Sequence, residues 1–265
     1  MKKQWMVAGA AVLAVGVAAP WAVGYVTEQQ WQRVTADVNQ AQPLFKLQTR
    51  DYDRGYMGAE FAGTITIQDP DTGDEHSFDY QARVSHGVTG SLIDFTPPPE
   101  LGAEVEKIFP DEKPRLTLET RLWGTAIAEL SVPAVSVIDE ETGESFDMSE
   151  SFSRAEISGN GSQADILMLW PGAVIRGPDL RISIEDFRLE QTMEHLTGDV
   201  WLGDGDMSLA RLEVAARGEP TLRFDDFSMS GETTTDDDGK SIDSEAVVTL
   251  EKVTADDESF GPHRM

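Results

Sequence analysis

The chain contains no cysteine in its 265 residues. This absence excludes disulfide bonds, cysteine nucleophiles and cysteine-ligated metal sites. A folded domain of this sequence must therefore be stabilised by the burial of apolar side chains, and a hydrophobic content of 40% is sufficient for that.

Basic residues are also scarce, because 21 Lys and Arg stand against 48 Asp and Glu, giving a formal net charge of −27. Such a surface repels phosphate backbones, so we exclude nucleic acid as a partner. The same charge opposes lying flat on anionic lipid headgroups.

The chain lacks the sequence signatures of common enzymes and cofactor sites. It has no Gly-x-Ser-x-Gly, no phosphate-binding loop and no dinucleotide-binding fingerprint. The four histidines do not show metal-binding spacing, and His86, before a glycine, is typical of a turn. We therefore predict no enzyme activity, no catalytic residue, no metal site and no cofactor.

Three segments, 69–75, 203–206 and 236–240, are rich in Asp and Gly. Their carboxylates could bind a hard cation, but none reproduces the spacing of a calcium loop. Because Asp and Gly are the residues that tight turns require, we interpret all three as solvated turns.

The longest uncharged run extends from Trp5 to Val26 and comprises 22 residues. About 20 apolar residues suffice to cross a bilayer, and two lysines before the run place the N-terminus in the cytoplasm. We predict a cytoplasmic tip and transmembrane anchor over residues 1–26, which would bind membrane lipid. A cleaved signal peptide is the alternative, and Pro20 after the best cleavage site disfavours it.

Helical spacing of apolar residues continues after the run and predicts a stalk helix over 27–43, ended by Pro43. From residue 44 to 265 the apolar period changes to two, as in strands with one buried face. Residues 61–67 and 78–84 illustrate this alternation and predict a hairpin around the turn at 69–75.

The predicted fold is thus mainly β: an N-terminal transmembrane helix, then an extended, curved antiparallel β-sheet with few short helices. One such helix is predicted at residues 98–109, and Pro171 is expected to end a strand. Asp186-Phe187 and Asp226-Phe227 lie 40 residues apart and indicate a weak two-copy repeat, for which chance similarity is the alternative.

Three segments carry a resemblance to a known family: Leu44–Met57, with Tyr52-x-Arg54-Gly55; Ser85-His86-Gly87; and Arg115–Gly124. They resemble the YdgA-like family of bacterial envelope proteins, which contain a domain of unknown function. The resemblance implies a single-pass inner-membrane protein whose β-rich domain, 44–265, lies in the periplasm. It supplies no catalytic residue, and we interpret Arg54 and Gly55 as a structural turn whose arginine pairs with a carboxylate.

This sequence departs from the family pattern at two places. Val88 stands where a proline often follows His-Gly, and the chain is expected to be shortened at its C-terminus relative to family members.

A sheet with one apolar face must close, pair with a second sheet, or hold an apolar ligand. Our leading hypothesis is a groove that holds or guides lipid acyl chains. The candidate lining residues are Phe78, Tyr80, Val84, Leu116, Leu118, Ile182 and Ile184. The alternative for these side chains is an ordinary closed core. The alternative function is a non-enzymatic scaffold that recruits an envelope protein or self-associates by strand addition.

Overall fold

The computed structural model describes residues 2–41, 44–70, 72–97, 99–159, 161–197, 200–236, 241–256 and 258–264. Within the helices, the side chains of residues 2–18, 37, 38, 41, 99–101 and 104 lie outside this description.

The described residues form two helices and sixteen strands. The helices are α1 (Lys2–Ala41) and α2 (Pro99–Ile108). The strands are β1 (Phe45–Arg54), β2 (Gly58–Gln68), β3 (Glu75–His86), β4 (Gly90–Thr96), β5 (Arg115–Arg121), β6 (Ala126–Val132), β7 (Val135–Ile138), β8 (Ser145–Met148), β9 (Ser151–Ser158), β10 (Gln163–Arg176), β11 (Leu180–Thr197), β12 (Val200–Ala216), β13 (Leu222–Thr235), β14 (Ile242–Ala255), β15 (Glu258–Phe260) and β16 (His263–Arg264). The mainly β, antiparallel part of the predicted fold is therefore confirmed, as is the short helix α2.

The chain divides into two compact units. The first comprises Met1–Ala103 and Arg115–Ile127, and the second comprises Glu104–Pro114 and Ala128–Met265. The predicted β-rich domain from 44 to 265 is thus distributed over both units.

The first unit is an antiparallel sheet in the order β1-β2-β3-β4-β5, with α1 against β1, β3 and β4. The predicted hairpin is confirmed, since β2 pairs with β3 around the turn at 69–75. Its core contains Trp31 of α1 among side chains of the sheet. The buried members are Trp31, Ala59, Phe61, Tyr80, Ala82, Val84 and Ile93.

The transmembrane part of the predicted fold is wrong. Among the described residues, no helix is both long enough and apolar enough to cross a membrane. From Ala19 onwards, α1 buries a stripe of residues at helical spacing, among them Val23, Thr27 and Trp31, with 1%, 2% and 7% of their surface exposed. The apolar residues of this stripe are part of the core of the first unit. The side chains of the predicted anchor before Ala19 lie outside those described.

Helix α1 also blocks the outer edge of β1. The Asn39 side-chain amide donates to the Leu47 carbonyl over 2.9 Å, and the Leu47 N–H donates to Asn39 Oδ1 over 2.6 Å. Both backbone groups of Leu47 are therefore occupied, so that a further strand cannot pair with β1 at this position.

The second unit is built on long antiparallel strands in the order β9-β10-β11-β12-β13-β14. Strands β7 and β8 extend the sheet beside β10, and β15 and β16 pair with β14. Two sequence predictions are wrong here: Pro171 lies inside β10, and residues 203–206 lie inside β12 instead of in a turn. Of the third predicted turn, 236–240, residues 237–240 lie outside the described residues.

Asp186 and Asp226, the aspartates of the two Asp-Phe pairs in the predicted repeat, have φ of 51° and 53°. Asp51, before Tyr52 in β1, has the same conformation, with φ of 52°. Aspartate tolerates this left-handed region better than most residues. In β1 and β11 the aspartate and the residue before it are both exposed, and the aromatic residue after it turns inward. The Asp-aromatic pairs therefore shift the strand alternation by one residue.

Candidate functional site

The family-like residues Tyr52 and Arg54 contact α1 in the first unit. Arg54 Nη1 lies 2.9 Å from Glu28 Oε2 of α1, which confirms the predicted pairing of this arginine with a carboxylate. Its guanidinium carbon lies 5.7 Å from the ring centre of Trp21 and 5.5 Å from that of Tyr25. Arg54 therefore holds α1 by an ion pair and two cation–π contacts.

Tyr52 lies on the inner side of the same strand. Its ring stacks on Phe61 at 5.2 Å, and among the described residues its buried hydroxyl has no hydrogen-bond partner. Burial, and then the negative charge of Glu28, raises the pKa of Tyr52 to about 12. This tyrosine stays protonated at physiological pH and acts as a packing side chain.

The second family-like segment meets α1 through His86, which is 4% exposed. His86 Nδ1 lies 2.9 Å from Ser91 Oγ, which in turn lies 2.8 Å from Thr27 Oγ1 of α1. A Cβ atom at Gly24 would lie 2.7 Å from His86 Nε2, so glycine allows the helix to approach this closely. Two of the three segments that carry the resemblance thus form one docking site for α1.

The pair of Ser91 and His86 has the composition of a nucleophile and its base. Both side chains are nevertheless buried, with 2% and 4% exposed, and α1 lies against them. A substrate cannot reach Ser91 Oγ in this arrangement, so the pair stabilises helix packing.

The burial of His86 makes the stability of the first unit depend on pH. Burial, and then the positive charge of Arg54, lowers the pKa of His86 below its ordinary value of 6.5. The unfolded chain therefore binds a proton before the folded chain does, and stability present above pH 6.5 is lost as the pH falls towards the folded pKa. We expect the urea unfolding midpoint to fall between pH 7.5 and pH 5, and to fall less in His86→Asn.

His76→Asn is the matched control, because His76 is exposed on the same strand. It should retain the pH dependence of the unmodified protein. An identical decrease in the His86→Asn variant would contradict the assignment.

The predicted lipid-binding residues of the first unit do not share one environment. Tyr80 and Val84 are buried in the core beside Trp31, and Leu118 packs against the same core. Phe78 and Leu116 are exposed, by 49% and 40%. For Tyr80, Val84 and Leu118 the environment is the closed core that the sequence analysis gave as the alternative.

Ile182 and Ile184 are half-buried on β11 in the second unit. Ile182 lies opposite Val214, and Ile184 opposite Leu212, on β12. They belong to an apolar face of the sheet. This face continues across β11 to β14 beyond Asp186, where the alternation of β11 shifts by one residue.

A groove of about 410 Å³ lies on this apolar face. Its floor contains Gly203, Gly205 and Gly231, and Gly205 pairs directly with Gly231 across β12 and β13. Large apolar side chains rise on both sides of these glycines. They are Leu189, Met193, Trp201, Met207 and Met229. This is the candidate binding site.

The groove residues were not predicted from the sequence. Glycines inside a strand mark places where another group approaches the backbone. Because Gly203 and Gly205 alternate with aspartates, the sequence predicts a turn at residues 203–206, whereas these residues lie inside β12.

The acidic turns use their carboxylates to bind backbone N–H groups. Asp69 accepts from the Thr72 N–H, and Asp139 accepts from the N–H groups of Glu141 and Thr142. These backbone hydrogen bonds lower the pKa of Asp139. Across the described ranges, no group of three or more His, Asp or Glu side chains is placed to hold a metal ion.

A protein-family model described as a bacterial protein of unknown function (DUF945) matches residues 1–265. Neither a curated protein nor a solved structure shows significant similarity to the chain.

Proposed function

This chain belongs to the DUF945 family of bacterial proteins of unknown function, and we propose that it is a non-enzymatic protein that holds a lipid acyl chain in the groove on β11 to β14. The observation that carries the proposal is the glycine floor between large apolar side chains. Small-molecule sites are concave and mostly apolar, and a volume of about 410 Å³ lies in their range.

The side chains of the groove suit a flexible apolar ligand. Met193, Met207 and Met229 have unbranched, polarisable side chains, which adapt to ligands of different shape. Trp201 and Met229 remain 37% and 40% exposed, so their apolar surface is not fully covered by the fold. An acyl chain lying over the glycines would remove this surface from water.

We propose the cell envelope as the place where this binding occurs. The proposal is supported by the resemblance of Tyr52-x-Arg54-Gly55 and Ser85-His86-Gly87 to YdgA-like envelope proteins. Both motifs dock α1, and this role does not depend on ligand binding by the second unit.

Filling the groove should prevent ligand binding. A Cβ atom at Gly231 would lie 3.7 Å from the Glu245 carbonyl, so a larger side chain fits without a backbone clash and occupies the groove. We expect Gly231→Leu to weaken binding of the uncharged apolar dye N-phenyl-1-naphthylamine by at least about tenfold. Dye fluorescence during titration of the purified full chain measures this affinity.

The matched control is Ser230→Leu, which places the same side chain on the opposite, exposed face of β13. It should leave the dye affinity unchanged. Equal affinity in Gly231→Leu and the unmodified chain, or an absence of dye binding by the unmodified chain, would refute the groove proposal.

A further inference from the structure

We infer that the groove excludes lipids with an anionic end and takes those whose polar end carries hydroxyl groups, as in a monoacylglycerol, and that Thr233 and Ser244 bind this end. The inference rests on the proposed function and names the class of lipid that the site would take. Two independent observations support it, the charge around the groove and the placement of its polar side chains.

The strand segments that form this part of the sheet are acidic, although Arg188, just before one of them, pairs with Glu190, and Arg154 of β9 lines the opposite face together with Asp204 and Asp206. The segments are residues 163–169, 189–195, 201–207, 229–235 and 242–248, and they contain no Lys and no Arg. Their carboxylates are those of Asp165, Glu190, Glu194, Asp204, Asp206, Glu232, Asp243 and Glu245.

Several of these carboxylates lie in one cross-strand row. Asp204 pairs with Glu232, and Glu232 pairs with Glu245, so like charges stand directly opposite one another. Asp204, Asp206, Glu232 and Glu245 themselves border the groove, and strand alternation directs their side chains to its opposite face, one residue away from the floor. Because charges interact over a Debye length of about 8 Å at physiological ionic strength, an anionic headgroup in the groove is repelled by this row.

The polar side chains on the groove face are neutral. Thr233 and Ser244 lie opposite each other across β13 and β14, with their hydroxyl oxygens 3.3 Å apart. Gln191 stands two residues from Met193 on β11 and also lines the groove. These groups can donate to and accept from a hydroxyl, whereas they cannot neutralise a carboxylate or phosphate.

The hydroxyl-bearing and the apolar side chains of the groove face occupy different rows of the sheet. The row of Met193, Gly203, Thr233 and Ser244 contains the hydroxyl pair. Two rows further on, Leu189, Met207, Met229 and Val248 are all apolar. The ligand is therefore oriented with its polar end at Thr233 and Ser244 and its alkyl chain over Gly205 and Gly231.

Three ligands with the same twelve-carbon chain test this inference: 1-monolauroylglycerol, laurate and dodecylamine. Each displaces N-phenyl-1-naphthylamine from the full chain, below the concentration at which it forms micelles. We expect the glycerol ester to bind about tenfold more tightly than laurate, because like-charge repulsion disfavours the carboxylate. This difference should shrink in 1 M salt, where the Debye length is about 3 Å.

The double variant Thr233→Val, Ser244→Ala tests the contribution of the hydroxyl pair to binding separately from that of the charge. Loss of hydrogen bonds to the ligand should weaken binding of the glycerol ester about fivefold, with little effect on dodecylamine. The matched control is Thr234→Val, on the opposite face of β13. It should bind all three ligands as the unmodified chain does.

The outcomes distinguish this inference from the proposed function. Equal binding of all three ligands would overturn the inference and leave the groove intact as an acyl-chain site. Tightest binding of dodecylamine would also overturn it, because the carboxylates would then select the ligand. Failure of all three ligands to displace the dye, or failure of the dye to bind, would contradict the proposed function itself.

Discussion

Replacing Trp31 with alanine is expected to lower the free energy of unfolding of the first unit by about 3–5 kcal/mol. The Trp31 ring lies 5.1 Å from that of Phe61 and 5.8 Å from that of Phe95. Its indole N–H donates to Thr49 Oγ1 over 2.8 Å. The substitution therefore leaves a cavity between α1 and the sheet and removes one of the two hydrogen-bond partners of Thr49 Oγ1, the other being the Tyr80 hydroxyl at 3.2 Å. Urea denaturation followed by circular dichroism measures the loss.

Val34→Ala is the control for this experiment. Val34 lies on the same helix but is 47% exposed, so its truncation should change the stability by no more than about 0.5 kcal/mol. If Trp31→Ala and Val34→Ala were equally stable, α1 would not be part of the core.

The second large effect is expected at Gly63 in β2. A Cβ atom there would lie 2.1 Å from the Gln48 carbonyl oxygen and 2.3 Å from the Tyr80 hydroxyl oxygen. Gly63→Ala must therefore displace either the backbone of β1 or the buried Tyr80 ring. We expect a loss of about 3 kcal/mol in the free energy of unfolding, again measured by urea denaturation.

Gly102→Ala in α2 is the corresponding glycine substitution without a clash, because nothing lies within 4 Å of a Cβ atom there. Alanine is favoured over glycine in a helix by about 0.5–1 kcal/mol, so this variant should be as stable as the unmodified chain or slightly more stable. A Gly63→Ala protein of unchanged stability would mean that β1 and β2 are not as close as described.

The antiparallel strands could be predicted from the sequence because their signals are local. Alternating apolar residues on either side of the turn at 69–75 specify β2, β3 and their pairing. Likewise, apolar residues at helical spacing after a proline specify α2.

The role of α1 could not be predicted in the same way. An apolar run indicates that side chains avoid water, but it does not indicate whether lipid or protein covers them. Val23 is buried in the described protein, and Thr27 is bonded to Ser91, 64 residues away in the chain. Only the fold reveals such a contact, and it shows that α1 packs against the sheet between Val23 and Trp31.

The groove depends on strand register, which no single segment encodes. Gly205 and Gly231 become neighbours only because β12 and β13 pair with this offset. The Asp-Phe pairs at 186–187 and 226–227 indicate a repeat in the sequence. The left-handed conformation that Asp186 and Asp226 share, which places the side chains that follow on the apolar face, is visible only in the structure. For this reason the predicted lining residues included Ile182 and Ile184 but none of the groove methionines.

The most direct test of acyl-chain binding is the NMR spectrum of the full chain with ¹³C-labelled methionine methyl groups. The chain has nine methionines, three of which line the groove. Addition of 1-monolauroylglycerol should shift the methyl signals of Met193, Met207 and Met229, while that of Met57, 64% exposed in the first unit, stays in place. Unchanged signals from all three groove methionines at saturating ligand would contradict the account.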